Sequence, residues 1–181
     1  MDVNKLILSK LGSSANHCEC GFGLNTCFPS GRNFTFVEPN PLFYTRALEL
    51  YPKAKIYHAA IVANIATPTV AIQLAGEDTH LASVRDCPVF HRGFSPGNLI
   101  EVPAITFDLI DTGFDSVILD MEGAEWFALM NMKSRPRILM IETHSSKTSY
   151  QNPFIGEIQQ WTADNGYEEI YRGVSNTIWI R

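Results

Sequence analysis

Three carboxylates stand within six positions in Asp120-Met121-Glu122-Gly123-Ala124-Glu125, around one glycine and directly after the apolar run Val117-Ile118-Leu119. A second apolar run, Ile138-Leu139-Met140-Ile141, ends in Glu142, and His144 stands two residues beyond it. Carboxylates and imidazoles are the side chains that take up or pass protons near neutral pH and that orient hydroxyl groups. Burying a carboxylate costs on the order of several kcal/mol unless it is paired or hydrogen-bonded. Acids clustered at the ends of apolar runs therefore point to a site rather than to packing. Upstream, Glu19-Cys20-Gly21-Phe22-Gly23 has the acid-x-Gly-x-Gly form of a nucleotide-binding turn, in which glycine lets the backbone approach a ligand that a β-carbon would obstruct. Glu38 closes the run Phe34-Thr35-Phe36-Val37 just before Pro39. A carboxylate there can accept hydrogen bonds from both hydroxyls of a ribose; the competing reading is a solvated acid at a strand end.

For these residues to meet, they must sit at the carboxyl ends of neighbouring parallel strands, the edge where open α/β sheets bind ligands. Strand and helix signals alternate along the chain, which favours a parallel sheet with helices on its faces. Strands are expected over 17–21, 34–38, 55–62, about 115–120 and 137–142. Helices are expected over 2–11, 41–51, 105–110, 123–132 and 153–165, the second opened by Pro41. Residues 69–74 read as a strand returning in hairpin fashion across the turn at 64–68, and 99–102 as a brief pairing. The segments 166–172 and 177–181, either side of Gly173-Val174-Ser175-Asn176, read as a closing antiparallel hairpin. Residues 76–98 carry Pro88, Gly93, Pro96 and Gly97 and read as irregular. They are either a lid or acceptor-recognition loop, with donors from His80, Ser83, Arg85, His91 and Arg92, or a plain solvated loop.

Length and composition narrow the partners. A chain of 181 residues suits one domain with a real core. With 45% hydrophobic and 18% charged residues it reads as globular. A net charge of -5 without a basic run argues against nucleic-acid binding, which needs clustered Lys and Arg. The start of the chain shows no signal-peptide pattern, and the uncharged span 56–76 contains too many polar residues for a membrane helix. A cytoplasmic location fits the four cysteines and acidic balance. Cys18, Cys20, Cys27 and Cys87 have poor zinc spacing and read as free thiols, so no metal site is assigned.

A dinucleotide needs G-x-G-x-x-G running into a helix that faces the pyrophosphate, whereas here Thr26 takes the third glycine position and Pro29 and Gly31 break up the segment where that helix would run. A ligand without a pyrophosphate fits better, and S-adenosylmethionine is the obvious one. Its ribose would use Glu38, and its ammonium would meet Glu19 or Asp120.

Taken in order, Phe36-Val37-Glu38-Pro39-Asn40-Pro41, Leu119-Asp120-Met121-Glu122-Gly123-Ala124-Glu125 and Arg135-Pro136 through Glu142 resemble the landmarks of FkbM-family methyltransferases. Those landmarks are E-P-N-P after the second strand, D-x-E-G-A-E after the fourth and R-P-x-x-x-x-x-E along the fifth. Val102-Pro103-Ala104-Ile105-Thr106-Phe107-Asp108 also resembles the family's segment before the fourth strand. The similarity covers roughly residues 17–145. In one respect the chain departs from the family. Where the first motif normally reads D-x-G-A-x-x-G and continues into a helix, this chain has Glu19, Phe22 and a loop with proline and glycine.

The resemblance implies a class I methyltransferase (Rossmann-like) α/β fold, mostly parallel with an antiparallel C-terminal hairpin. It also implies S-adenosylmethionine as methyl donor and, usually, a hydroxyl acceptor. The donor is expected to touch Glu19, Gly21, Gly23, Glu38, Pro39 and Asp120, with small Ala59 and Ala60 against the adenine. Asp120, Glu122, Glu142 and His144 are the catalytic candidates. Among them His144 or Asp120 would act as base, and Glu122 would orient the acceptor or a neighbouring cation. His144 also has the plainer reading of a surface or supporting group, and Glu125 is read as stabilising its helix's amino terminus. The expected activity is O-methylation of a glycan or other small polyhydroxylated metabolite by one domain spanning 1–181. Its rivals are a non-catalytic descendant of the fold that serves as a binding or assembly module and, more distantly, a dinucleotide oxidoreductase.

Overall fold

The structure is a computed structural model that describes residues 15–23, 33–75, 78–81, 99–144 and 152–181. The described strands are β1 (Asn16–Cys20), β2 (Asn33–Val37), β3 (Lys55–Tyr57), β4 (Ala60–Ile61), β5 (Thr69–Ala75), β6 (Asp78–Leu81), β7 (Leu99–Ile105), β8 (Ser116–Leu119), β9 (Ile138–Glu142), β10 (Glu168–Arg172) and β11 (Asn176–Ile180). The α-helices are α1 (Pro41–Leu50), α2 (Glu125–Asn131) and α3 (Ile155–Asp164), with a 3-10 turn at Phe107–Leu109. Among the described residues no helix is long and apolar enough to cross a membrane.

Seven strands form the main sheet in the order β10-β11-β9-β8-β1-β2-β3. The block from β3 to β9 is parallel, and β11 and β10 close it as the expected antiparallel hairpin. Alternation along each strand sends side chains to two cores, which is why these strands read as nearly continuous apolar runs. Cys18, Cys20, Val117, Leu119, Leu139 and Ile141 face one core with α2 and α3. Phe36, Ile118, Met140 and Ile178 face the other, with α1. Because β1 lies between β2 and β8, the residues leaving Cys20, Val37 and Leu119 emerge side by side at one edge.

The run expected as one strand over 55–62 is two. After Tyr57 the chain leaves the main sheet, and Ala60–Ile61 pairs in parallel with β7 in a second, four-stranded sheet ordered β4-β7-β5-β6. The expected hairpin of 69–74 with that strand is therefore absent, because β7 lies between β4 and β5. The pairing expected over 99–102 is longer than that, although Pro103 cannot donate to a ladder. The strand in fact runs on to Ile105, with Val102 and Ala104 buried and Glu101 and Pro103 exposed. The helix expected over 105–110 is only a 3-10 turn. Within 76–98, residues 78–81 form β6, and 82–98 lie outside the described residues, as do the proposed 2–11 helix, Cys27 and Cys87.

Candidate active site

Gly21 fixes where the site can form. It comes directly after β1 with φ of 91°, in the left-handed region, and its amide donates to the Val37 carbonyl at 3.0 Å. The Asp120 amide donates to the Cys20 carbonyl at 3.0 Å. A β-carbon on Gly21 would lie 1.6 Å from the Asp120 carbonyl oxygen. The ends of β2, β1 and β8 are thus drawn together by backbone alone, with glycine required by both φ and space.

Glu38 sits at the same edge and is 3% exposed. Its Oε1 accepts from the Asn40 amide at 2.7 Å, while Asn40 Oδ1 caps α1 by accepting from the Leu42 amide at 3.0 Å. His58 Nε2 donates to the Pro39 carbonyl at 3.1 Å. The Glu-Pro-Asn-Pro segment is therefore a folded corner that presents one buried carboxylate. Burial pushes that carboxyl from its usual 4.5 to about 8, against the pull of the Asn40 and Phe22 amides, and the charge of Asp120 adds to the rise. A raised carboxyl is protonated in the folded chain and ionised in the unfolded one between those two values. Its contribution to stability is complete below pH 4.5 and is lost as pH climbs to about 8. Glu38→Gln should reduce the fall in unfolding free energy across that window by up to about 1.4 kcal/mol per pH unit. Urea titrations at pH 5, 6 and 7 would read this difference, and identical slopes for the two proteins would refute it.

Glu125 does more than neutralise a helix dipole. It is fully buried, and its Oε1 accepts from the Met121 and Gly123 amides at 2.7 and 3.2 Å. Its Oε2 accepts from Asn152 Nδ2 at 2.6 Å. Asn152 Nδ2 also donates to the Glu142 carbonyl at 3.1 Å, tying the β8 turn to the end of β9. Burial raises the Glu125 carboxyl to about 7, opposed by its own amide, the Met121 amide and Asn152, while the charge of Asp120 adds to the rise. Glu125→Ala would orphan three donors at once and is expected to destabilise the fold by about 3 kcal/mol or more. A urea midpoint that does not move would contradict this role.

At the end of β9, His144 Nε2 lies 2.8 Å from Glu142 Oε1. The His144 and Thr143 amides both donate to the Ser175 carbonyl, at 2.8 and 2.7 Å. Glu142 is 7% exposed, and burial, with the charges of Asp120, Glu122 and Glu125 next in size, pushes its carboxyl far above the usual range. Burial pulls the His144 imidazole below its usual value, with Asp120 opposing. Glu122 and His144 have φ of 52° and 44°, a conformation that costs non-glycine residues about 1–2 kcal/mol. One ligand atom from each of Glu122, Glu142 and His144 falls within 4.8 Å of the others. This edge can hold a proton, a hydroxyl oxygen or a cation.

A profile of the methyltransferase FkbM domain matches residues 15–169. The chain belongs to the methyltransferase FkbM family. No curated protein matches it closely. Among solved structures it resembles a TehB-like S-adenosylmethionine-dependent methyltransferase from Corynebacterium glutamicum, with 11% identity, a TM-score of 0.51 and coverage of 99% of this chain and 87% of that one. A second similar structure is an S-adenosylmethionine-dependent methyltransferase from Aquifex aeolicus, with 9% identity, a TM-score of 0.48 and coverage of 97% and 87%. The fold is that of class I methyltransferases.

In this FkbM domain the landmarks converge. Gly21, Glu38 and Asp120 share one edge, and Glu142 joins Glu122 and His144 there. Other expected residues sit differently. Glu19 lies inside β1, 5% exposed, in register between Phe36 and Ile118. Ala60 packs with Val62, Ile72, Val102 and Ala104 in the core of the second sheet, and Ala59 is buried beside it. Pro39 and Gly23 are half-buried. Cys18 and Cys20 are free, buried thiols, as expected. Asn152 and Ser175 carry no signal in the sequence, because a lone polar residue far along the chain belongs to no motif. A groove of about 460 Å³ lined by Trp126, Gly156, Glu157, Gln160, Trp161 and Asp164 includes none of the proposed site residues.

Proposed function

We propose that this protein is an S-adenosylmethionine-dependent O-methyltransferase acting on a hydroxyl of a glycan or small polyhydroxylated metabolite, with residues 1–181 working as one unit. The observation that carries the reading is the buried carboxylate of Glu38 at the end of β2, next to the Gly21 turn and within the field of Asp120. A buried acceptor beside a half-buried glycine turn suits a ribose diol better than packing, so the residues present fit the donor. When bound, S-adenosylmethionine would supply an electrophilic methyl on a sulfonium whose departure as a neutral thioether takes the carbon–sulfur electron pair.

The chain's own task is alignment and proton removal. Glu38 accepts from the ribose hydroxyls, and the Gly21–Gly23 turn lets backbone close on the donor, with Pro39 and Ala59 bordering it. Asp120, with Glu19 behind it, offers negative charge to an ammonium. His144, its imidazole pKa lowered by burial, takes the hydroxyl proton, while Glu142 and Glu122 orient the acceptor. Calorimetry with S-adenosylmethionine and S-adenosylhomocysteine tests the reading. Both should bind one per chain, and no heat from either, with the protein folded by circular dichroism, would end it.

A further inference from the structure

We infer that Glu122, Glu142 and His144 bind a first-row divalent metal cation at the carboxyl edge of β8 and β9. Their ligand atoms lie within 4.8 Å of one another, and His144 Nε2 and Glu142 Oε1 are 2.8 Å apart. Around a cation held at about 2.1 Å, ligands at right angles are about 3 Å apart and opposite ones about 4.2 Å. The spacing is therefore already close to that of a coordination shell.

A second observation is independent of this spacing. Glu142 is 7% exposed, and its Oε2 is sealed from solvent with no hydrogen bond of ordinary geometry among the described residues. Besides His144, the side chain in hydrogen-bonding range of Glu142 is another carboxyl group, Asp120. Buried polar atoms are nearly always partnered, and a cation between these carboxyl groups would supply the partner. The charges acting on Glu142, from Asp120, Glu122 and Glu125, are all negative, so a divalent ion would relieve their repulsion. An imidazole with two carboxylates suits manganese, iron or zinc better than the all-oxygen shells of magnesium and calcium. Three protein ligands leave coordination positions open, as in catalytic sites. An acceptor hydroxyl bound there would lose its proton more readily, and with the metal in place Asp120 rather than His144 would take it, because a coordinated imidazole nitrogen has no free lone pair. That role rests on the proposed function, whereas cation binding does not.

Manganese(II) is the probe. Protein stripped with a chelator should take up one Mn2+ per chain, read by loss of the free-ion electron paramagnetic resonance signal. Glu142→Gln and His144→Ala should each weaken binding by at least the 10–100-fold, roughly, that loss of even an outer partner costs at metal sites. Glu169→Gln, whose carboxylate pairs with Arg172, should leave binding unchanged. Circular dichroism of each variant guards against misfolding. If the folded protein takes up no Mn2+, or if both site variants bind it as the parent does, the inference is overturned. S-adenosylhomocysteine titrated without metal separates the two readings, since donor binding there survives failure of the cation site.

Discussion

Glu38→Ala is expected to lower the affinity for S-adenosylhomocysteine by about a hundredfold or more. Hydrogen bonds to a charged group are worth about 1.5–3 kcal/mol each, and a ribose diol offers two. The carboxylate is 3% exposed, so little water competes for it. The loss should also carry a pH signature. With its carboxyl raised to about 8, Glu38 must release a proton before both oxygens can accept. Affinity of the parent should therefore rise with pH, by at most about tenfold per unit, and level off near pH 8. Glu38→Gln should bind weakly and without that slope. Calorimetry from pH 6 to 9 reads both effects. An alanine variant that binds within about threefold of the parent would remove Glu38 from the donor site.

Gly21→Ala should destabilise the fold more than alanine at Gly113, Gly156, Gly166 or Gly173. The new β-carbon would stand 1.6 Å from the Asp120 carbonyl oxygen. That oxygen is backbone, so β8 and the β1 turn must part. Parting them strains the Gly21-to-Val37 and Asp120-to-Cys20 hydrogen bonds. Each buried group left unsatisfied costs about 1–3 kcal/mol, and alanine in the left-handed region adds about 1–2 kcal/mol. The sum is a large part of the roughly 5–15 kcal/mol that holds a domain folded. Gly113→Ala is the matched control, because Gly113 has φ of 84° but nothing within 4 Å of its added carbon. It should show the backbone penalty alone. Equal urea midpoints for the two variants would mean that the β1–β8 approach is looser than described.

Much of this architecture can be read from the chain. The parallel core strands are legible because burial on both faces leaves short, nearly unbroken apolar runs such as Val117–Leu119 and Ile138–Ile141. The closing hairpin is legible from Gly173 through Asn176. The second sheet is not, because the break at His58-Ala59 leaves no local mark and Ala60–Ile61 finds its partner in Ala104 and Ile105, far along the chain. At the site, Glu38 and Asp120 announce themselves by ending strands beside proline or glycine. The union of Glu122, Glu142 and His144 depends on β8 and β9 being neighbours and on two left-handed residues, which no spacing rule encodes. The structural duty of Glu125 depends on Asn152, 27 residues away.

A crystal structure with S-adenosylhomocysteine would bear most directly on the whole reading. The ribose hydroxyls should lie within hydrogen-bonding distance of both Glu38 oxygens, with the sulfur turned toward Asp120 and the His144 side of the edge. A nucleoside bound elsewhere, or a Glu38 carboxylate still enclosed by protein with the ligand present, would contradict it.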